Sequence, residues 1–554
     1  MPRSSPLLPL VEIRLEDYLR FLDNFTAFCV APLVVWIFVS GLDDLLIALA
    51  FLYSWLRKLR PPVTDSQLRS EPEKRIAILV ALWQEHEVIG SMIRHNVASL
   101  EYSNYDFFLC TYPNDEETVA AVAELEDSFP NVHLAICPHD GPTSKSDCLN
   151  WVYQNLLLFE QQRQVRFEIL VIHDAEDVIH PAALKLINYY SRKWEMIQVP
   201  VLPLRTSLFE LTHGVYCDEF AEYQIKDIPA RQTLGGFIPS NGVGTGFRRD
   251  TIEKLASCSS NRVFEPECLT EDYEIGLRLH ELGCRQLFVP VQFQGPEPMA
   301  TREFFPRTFR SALQQRTRWI TGIALQSWER HGWRGGVRRA FWFWRDRKGV
   351  VGNPLSAFAN LLLLYVLLTW AAGHTPAVPR SEAIPPFAML LLPWTLFLQI
   401  FQLVFRTACA TRIYGPAFAA GVLVRSTWAN VINSIATVLA LHRYARAKWR
   451  HEPLRWLKTE HTYPSLASLT QALAGFMPID IDEVPSGVLR ALPAHLVEKW
   501  HVLPFKVAAG ALHLAGPHPP PEGFQADIRR FTNLRIRFHL VDELDFEELK
   551  QRLG

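Results

Sequence analysis

Glu168-Ile-Leu-Val-Ile-His-Asp-Ala-Glu-Asp177 is the stretch that decides the fold. Its apolar half, Glu168–Ile172, reads as a buried strand, and its polar half places a cluster of carboxylates directly after that strand. A strand ending in acids delivers oxygen ligands to the carboxyl edge of a parallel sheet, where open α/β folds bind their ligands. Asp174 and Glu176, at i and i+2, suit a hard divalent cation, so Mg²⁺ or Mn²⁺ is the expected cofactor. His173 reads as a strand-end core residue.

Outward from this stretch, further apolar runs at 76–80, 107–109, 133–136, 197–199 and 287–289 alternate with helical segments such as 117–129 and 181–194. That alternation predicts an α/β domain over 75–330 with a mostly parallel, doubly wound sheet. Two more polar motifs fall inside it, Thr270-Glu-Asp272 and Gln314-Gln-Arg-Thr-Arg-Trp319. Thr270 is expected to cap a helix over 273–282, with Asp272 in its positive first turn.

The domain is framed by membrane-length segments. An N-terminal segment, 1–24, precedes an apolar run at 25–56 that is long enough to span a bilayer; Gly41-Leu-Asp-Asp44 is costly at mid-membrane, so a tilted or locally irregular helix is expected there. A linker, 57–74, opens with Arg57, Lys58 and Arg60, which marks that side as cytoplasmic. A basic connector, 331–354, leads to spans at 355–372 and 384–405, and then to an interfacial or transmembrane helix at 415–442. Basic residues before 355 and after 441 both favour the cytoplasm. Two full spans satisfy that, so 421–441 is read as an amphipathic helix in the interface. Residues 451–554 read as a small cytoplasmic α/β domain, with a hairpin turning at Gly510.

Composition excludes several classes. A formal charge of −2 over 554 residues gives no basic footprint for nucleic acid. Nine cysteines form no C-x-x-C pair, so they read as small core residues in a reducing compartment rather than a zinc site or disulfide framework. The N-terminus carries no secretory cleavage pattern.

The motifs suit sugar transfer from a nucleotide diphosphate: a cation against the leaving diphosphate, a base for the acceptor hydroxyl, and groups that fix the donor. Asp272, beside Glu271, is the candidate base. Arg318 offers charge to phosphate and Trp319 a flat face to a sugar. Lys145 and the loop Gly242-Val-Gly-Thr-Gly246 are placed to approach donor or acceptor. The plainer readings are a polar loop at 174–177, interfacial anchors at Arg316, Arg318 and Trp319, and an ordinary turn at 242–246.

At these residues the chain resembles the processive family 2 glycosyltransferases, whose pattern is D, DxD, TED and QxxRW. Asp174-Ala-Glu176 stands at DxD with Glu as the second acid, Thr270-Glu-Asp272 at TED, and Gln315, Arg318 and Trp319 at QxxRW. Trp83-Gln-Glu85, Tyr112-Pro-Asn-Asp115 and Lys145-Ser-Asp-Cys-Leu-Asn150 resemble the remaining donor-site steps, although the usual Asp-Asp-Gly-Ser sequence is missing.

The resemblance implies a GT-A (Rossmann-like) domain flanked by transmembrane helices. It assigns Asp272 and Glu271 to catalysis, Asp174 and Glu176 to metal, and Glu85, Asp115, Lys145, Gln315, Arg318 and Trp319 to donor binding. Gly244, Thr245 and Gly246 are assigned to the acceptor. It also implies a UDP-sugar donor and a glycan or lipid-linked acceptor. The expected place is the bacterial inner membrane, in contact with the lipid bilayer, with an outer-membrane or export partner protein, or a homo-oligomer, completing a polymer path.

Within that family the chain is most similar to the phage adsorption protein B group, which is linked to surface exopolysaccharide. That group's tail resembles the N-terminal domain of type II secretion ATPases, a domain that in some proteins binds cyclic di-GMP. The repeats that carry the nucleotide there are not visible between 451 and 480, so the module is expected with its ligand site truncated or lost. Two alternatives stay open: a single-addition lipid-phosphate glycosyltransferase, and a regulatory or receptor scaffold.

Overall fold

The computed structural model describes residues 15–554 except 58, 60–61, 295–296, 377–379, all but three positions of 453–485, 490, 509–510, 518–522, 542 and 552–554. Its centre is a seven-stranded sheet built from β1 (Ile76–Ala81), β2 (Tyr105–Thr111), β3 (Val132–Ile136), β4 (Ile169–His173), β5 (Met196–Gln198), β7 (Thr245–Arg248) and β8 (Gln286–Phe288). A short β6 (Val201–Pro203) pairs instead with the strand Thr301–Glu303. The order in the sheet is β3-β2-β1-β4-β7-β5-β8. All neighbours are parallel except β7, which runs antiparallel to both β4 and β5. The sheet is therefore mixed.

Both faces are covered, as the continuous apolar runs require. Alternate residues of β1 go to opposite sides: Ile76, Ile78 and Val80 join a core with Ile89 and Met92, while Ala77 and Leu79 join one with Leu149 and Val152. β1 has β2 on one side and β4 on the other, so the order of strands in the sheet reverses direction at the β1/β4 boundary. The cleft at their carboxyl ends is where such sheets take ligands.

Among the described residues, four helices are long and apolar enough to cross a membrane: Glu16–Leu56, Gly349–Ala371, Pro386–Tyr414 and Val422–Arg450. The first begins at Leu15 and continues unbroken through the Gly41-Leu-Asp-Asp44 step. The irregularity expected there does not occur, because Asp43 and Asp44 are neutralised by Arg345 (2.9 and 3.1 Å) and Lys348 (2.8 and 3.0 Å) just before the next membrane helix. Gly41 lets this helix approach Leu398 closely. At its other end Asp23 accepts from Tyr365 (3.2 Å) and sits 2.8 Å from His374.

Val422–Arg450 packs on the catalytic-domain helices Leu211–Glu222 and Phe309–Trp319 as well as on Gly349–Ala371. Its Arg425 is 1% exposed and forms a two-pronged pair with Asp218 at 2.6 and 2.9 Å.

The C-terminal unit is a three-stranded sheet in which Leu503–Ala508 runs antiparallel to Ala511–Gly516, and the latter parallel to Arg535–Leu540. The turn expected at Gly510 lies outside the described residues, as do most of the positions read for nucleotide repeats. Arg537 of this sheet meets Glu101 of the catalytic domain at 3.2 Å.

Candidate active site

The acidic loop after β4 is held from within. His173, fully buried, lies 2.6 Å through Nδ1 from the Asp177 carboxylate, which also accepts the Asp174 amide at 3.0 Å. Asn96 clamps the loop, donating to the Asp177 carbonyl (2.8 Å) and accepting the Ile179 amide (2.9 Å). Asp177 and His173 are thus structural, as expected for His173, and Asp174 and Glu176 are left on the cavity side.

Lys145 opens the helix Lys145–Arg163, whose N-cap Ser144 accepts from Asp147. Its Nζ lies 2.5 Å from Asp174 and 3.8 Å from Glu271. Burial opposes the lysine charge, but Asp174 and Glu271 outweigh it and hold the group above its ordinary value. Glu271 and Asp272 start the helix Glu271–Glu281. Burial pushes Glu271 up to about 7, against the pull of Lys145, and raises Asp272 as well.

Thr270 takes the N-cap position but makes no capping bond, contrary to expectation. It packs instead against Gly322, where an added Cβ would come within 2.4 Å of its hydroxyl. Asp272 is fixed from behind: Tyr273 donates to Asp346 at 2.7 Å, and Arg231 grips the same carboxylate at 2.8 and 2.9 Å.

The Gln-Gln-Arg-Thr-Arg-Trp segment ends the helix Phe309–Trp319 and passes into a π-helical turn, Ile320–Gln326. Arg316 is structural, paired with Glu219 (2.8 Å) and donating to Asn433 (2.6 Å). Gln315, Arg318 and Trp319 face the cavity, and Trp319 leans on Tyr216, Phe220 and Phe305.

A cavity of about 510 Å³ unites Trp83, Glu85, Lys145, Asp174, Glu176, Glu271, Asp272, Gln315, Arg318 and Trp319. It extends past Tyr223, Asp227 and Asp346 to Arg406 on the helix Pro386–Tyr414.

Four expected residues stand outside it. Asp115 accepts the Gln84 amide at 2.6 Å and so shapes the turn that carries Glu85. Thr245 donates to Gln198 at 2.6 Å inside the sheet. Gly244 and Gly246 allow close approach of Thr301 and Ile187. Of that loop it is Gly242, beside Asp272, and Val243 that line the cavity.

Glu303 was not legible in the sequence. Its neighbour Arg302 bridges Val178 through two backbone bonds (2.8 and 2.9 Å), which sets Glu303 across from the acidic loop. Burial, and then Asp177, Glu176 and Asp174, push its carboxyl far up. No local pattern marks a carboxylate whose partners lie over a hundred positions upstream.

Residues 72–322 match the model of the glycosyltransferase-like family 2, and residues 474–554 match the MshEN domain. The chain carries a family 2 glycosyltransferase domain. Bacteriophage adsorption protein B of Escherichia coli (strain K12) is 36% identical over a 475-residue alignment that covers 80% of this chain and 63% of that protein. This chain therefore spans under two thirds of that relative's length. A beta-monoglucosyldiacylglycerol synthase of Trichormus variabilis is 23% identical over 70% of this chain and 76% of its own. A mannosyltransferase from Pyrobaculum calidifontis, determined with GDP-Man and Mn²⁺, aligns with 72% of this chain and 99% of its own at 14% identity and a TM-score of 0.43. The family match and the mixed seven-stranded sheet make this a GT-A-like catalytic domain.

Proposed function

We propose that the chain is a membrane-bound inverting glycosyltransferase that moves a sugar from a nucleotide diphosphate, UDP by family resemblance, to a hydroxyl of a glycan or lipid-linked acceptor. One observation carries this reading. A single cavity brings the acidic loop, the Glu271–Asp272 pair and the Gln315–Arg318–Trp319 face together, and runs on to Arg406 of a membrane-length helix.

The residues fit a divalent metal. Asp174 and Glu176 offer hard oxygen donors, and Lys145 already balances Asp174 with positive charge. Asp174 and Glu176 would hold the ion, which supplies charge against the departing diphosphate. Arg318 and Lys145 orient and neutralise phosphate oxygens. Asp272, held by the Tyr273 anchor, accepts the proton of the acceptor hydroxyl as that oxygen bonds to the anomeric carbon and the nucleotide diphosphate leaves from the opposite face.

The catalytic domain and tail are assigned to the cytoplasmic side of a bacterial inner membrane. The spans are assigned to Glu16–Leu56, Gly349–Ala371 and Pro386–Tyr414, with Val422–Arg450 along the interface. Its packing on the catalytic domain, and the basic residues at its end, support that place. Export of an exopolysaccharide through these spans, with a partner protein or a second copy, is the part of the reading that rests on family analogy rather than on these residues.

A second reading, a single addition to a lipid, draws support from the relative named for diacylglycerol glucosylation and from the cavity's reach to Arg406. Membranes holding the full chain, incubated with a panel of nucleotide sugars, should release nucleotide diphosphate from one of them. Asp272→Asn should abolish release at unchanged expression, and unchanged turnover would overturn the base assignment. Product sizing separates polymer from single addition.

A further inference from the structure

Cys110, Cys137 and Cys148 reach one point from three separate elements. Cys110 is the penultimate residue of β2, Cys137 follows β3, and Cys148 lies in the first turns of the helix Lys145–Arg163. Parallel pairing of Cys110 with Ala135 puts Cys110 and Cys137 on the same sheet face, and the Cys137 amide continues the ladder to Thr111 at 2.8 Å. The helix covers that face. All three side chains are buried, and their sulfurs lie within 4.8 Å of one another. The Cys110 and Cys137 sulfurs are 3.7 Å apart, and the Cys148 sulfur is 3.3 Å from the Cys110 carbonyl.

Scattered buried cysteines behave as small apolar residues. Three sulfurs converging at this spacing are also a ligand set. With zinc–sulfur bonds of about 2.3 Å, tetrahedral ligand sulfurs stand roughly 3.8 Å apart, close to the 3.7 Å already present between Cys110 and Cys137. Soft thiolates select zinc or copper(I) over the hard cations that suit Asp174 and Glu176. The start of a long helix favours the negative charge left by three thiolates around a divalent ion. Cys148 also lines the donor cavity, which gives an ion a route in.

We propose that Cys110, Cys137 and Cys148 form a thiolate site for Zn²⁺. Three thiols lose their protons to solvent as three sulfur–metal bonds form, and the Cys110 carbonyl is a further oxygen donor at hand. The ion ties the ends of β2 and β3 to the helix that begins with Lys145, three residues before Cys148. Occupancy therefore stiffens the seat of the lysine that contacts Asp174. The site does not depend on the transfer reading.

The test uses the full chain, purified reduced and tag-free in detergent, with Co²⁺ as a spectroscopic probe and Zn²⁺ as competitor. One equivalent of Co²⁺ should give a thiolate-to-cobalt charge-transfer band in the near ultraviolet, and one equivalent of Zn²⁺ should remove it. Cys137→Ala should lose the band and weaken Zn²⁺ binding at least tenfold, by analogy with lost metal-site partners. Cys258→Ala, at an exposed cysteine, should retain it. No band on the parent chain, or a band surviving in Cys137→Ala, overturns the proposal. Should Cys137→Ala fail to fold, X-ray absorption on the zinc-loaded parent decides. Three sulfur neighbours support the site, and one or none refutes it.

Discussion

Asp346→Ala is the perturbation whose size can be worked most directly from the structure. Asp346 accepts both prongs of the Arg231 guanidinium at 2.8 and 2.9 Å and the Tyr273 hydroxyl at 2.7 Å. Arg231 is 4% exposed, stacks 4.1 Å above Phe237, and donates through Nε to the Phe237 carbonyl. Truncating Asp346 leaves a buried guanidinium without its counter-charge, which costs about 3–5 kcal/mol. At ~2–4 °C per kcal/mol for a domain of this size, the midpoint of thermal unfolding should fall by roughly 6–20 °C.

A thiol-reactive dye suits the measurement, because seven of the nine cysteines are buried and become reactive on unfolding. The comparison that isolates the cause is Arg231→Met with Asp346→Leu. That pair removes both charges and should recover most of the loss, short of about 1–3 kcal/mol for the Tyr273 hydroxyl left unbonded. A parent-like midpoint in Asp346→Ala, or a double variant as damaged as the single one, would refute the account. Tyr273 follows Asp272, so Asp346→Ala should also lower kcat below its unfolding temperature.

Four further outcomes are expected. Initial rates should fall as pH is lowered through the burial-raised Asp272 value, because the proposed base is then protonated. Lys145→Met removes a charge that lowers both Glu271 and Asp272, so the acid limb should move up by ~1–3 pH units; a uniformly scaled profile with an unmoved limb counts against this. Asp174→Asn should raise the Mg²⁺ or Mn²⁺ concentration for half-maximal nucleotide release at least about tenfold, and a metal titration that superimposes on the parent's excludes Asp174 as a ligand. Gly322→Ala drives a methyl into Thr270, so it should cut kcat about tenfold or more with little change in donor KM, read from initial rates at saturating donor.

The sheet was legible where strands are apolar and continuous. β1, β2, β3 and β4 stand within two residues of their predicted positions, because buried parallel strands write themselves as uninterrupted apolar runs. β7 was hidden in a glycine-rich loop. Gly242 and Gly244 take positive φ, and Gly246 fits under Ile187, so the residues that let the strand approach its neighbours also erase its propensity signal. The acidic loop, the Glu271–Asp272 pair and Arg318 were readable because each is a short local motif. Glu303, the Asp346 anchor and the three converging thiols were not, since each depends on elements distant in the chain. The Gly41-Leu-Asp-Asp44 step was misread for the same reason: its counter-charges lie three hundred positions later.

The Arg425–Asp218 pair bears on how the chain is made. An arginine buried at the start of an apolar helix is costly unless its charge is paired, by several kcal/mol once the partner is missing. Its partner Asp218 belongs to a helix that is in place only once the catalytic domain has folded. Docking of the last helix is thereby coupled to the catalytic domain: Arg425 finds its counter-charge only where Leu211–Glu222 is already packed.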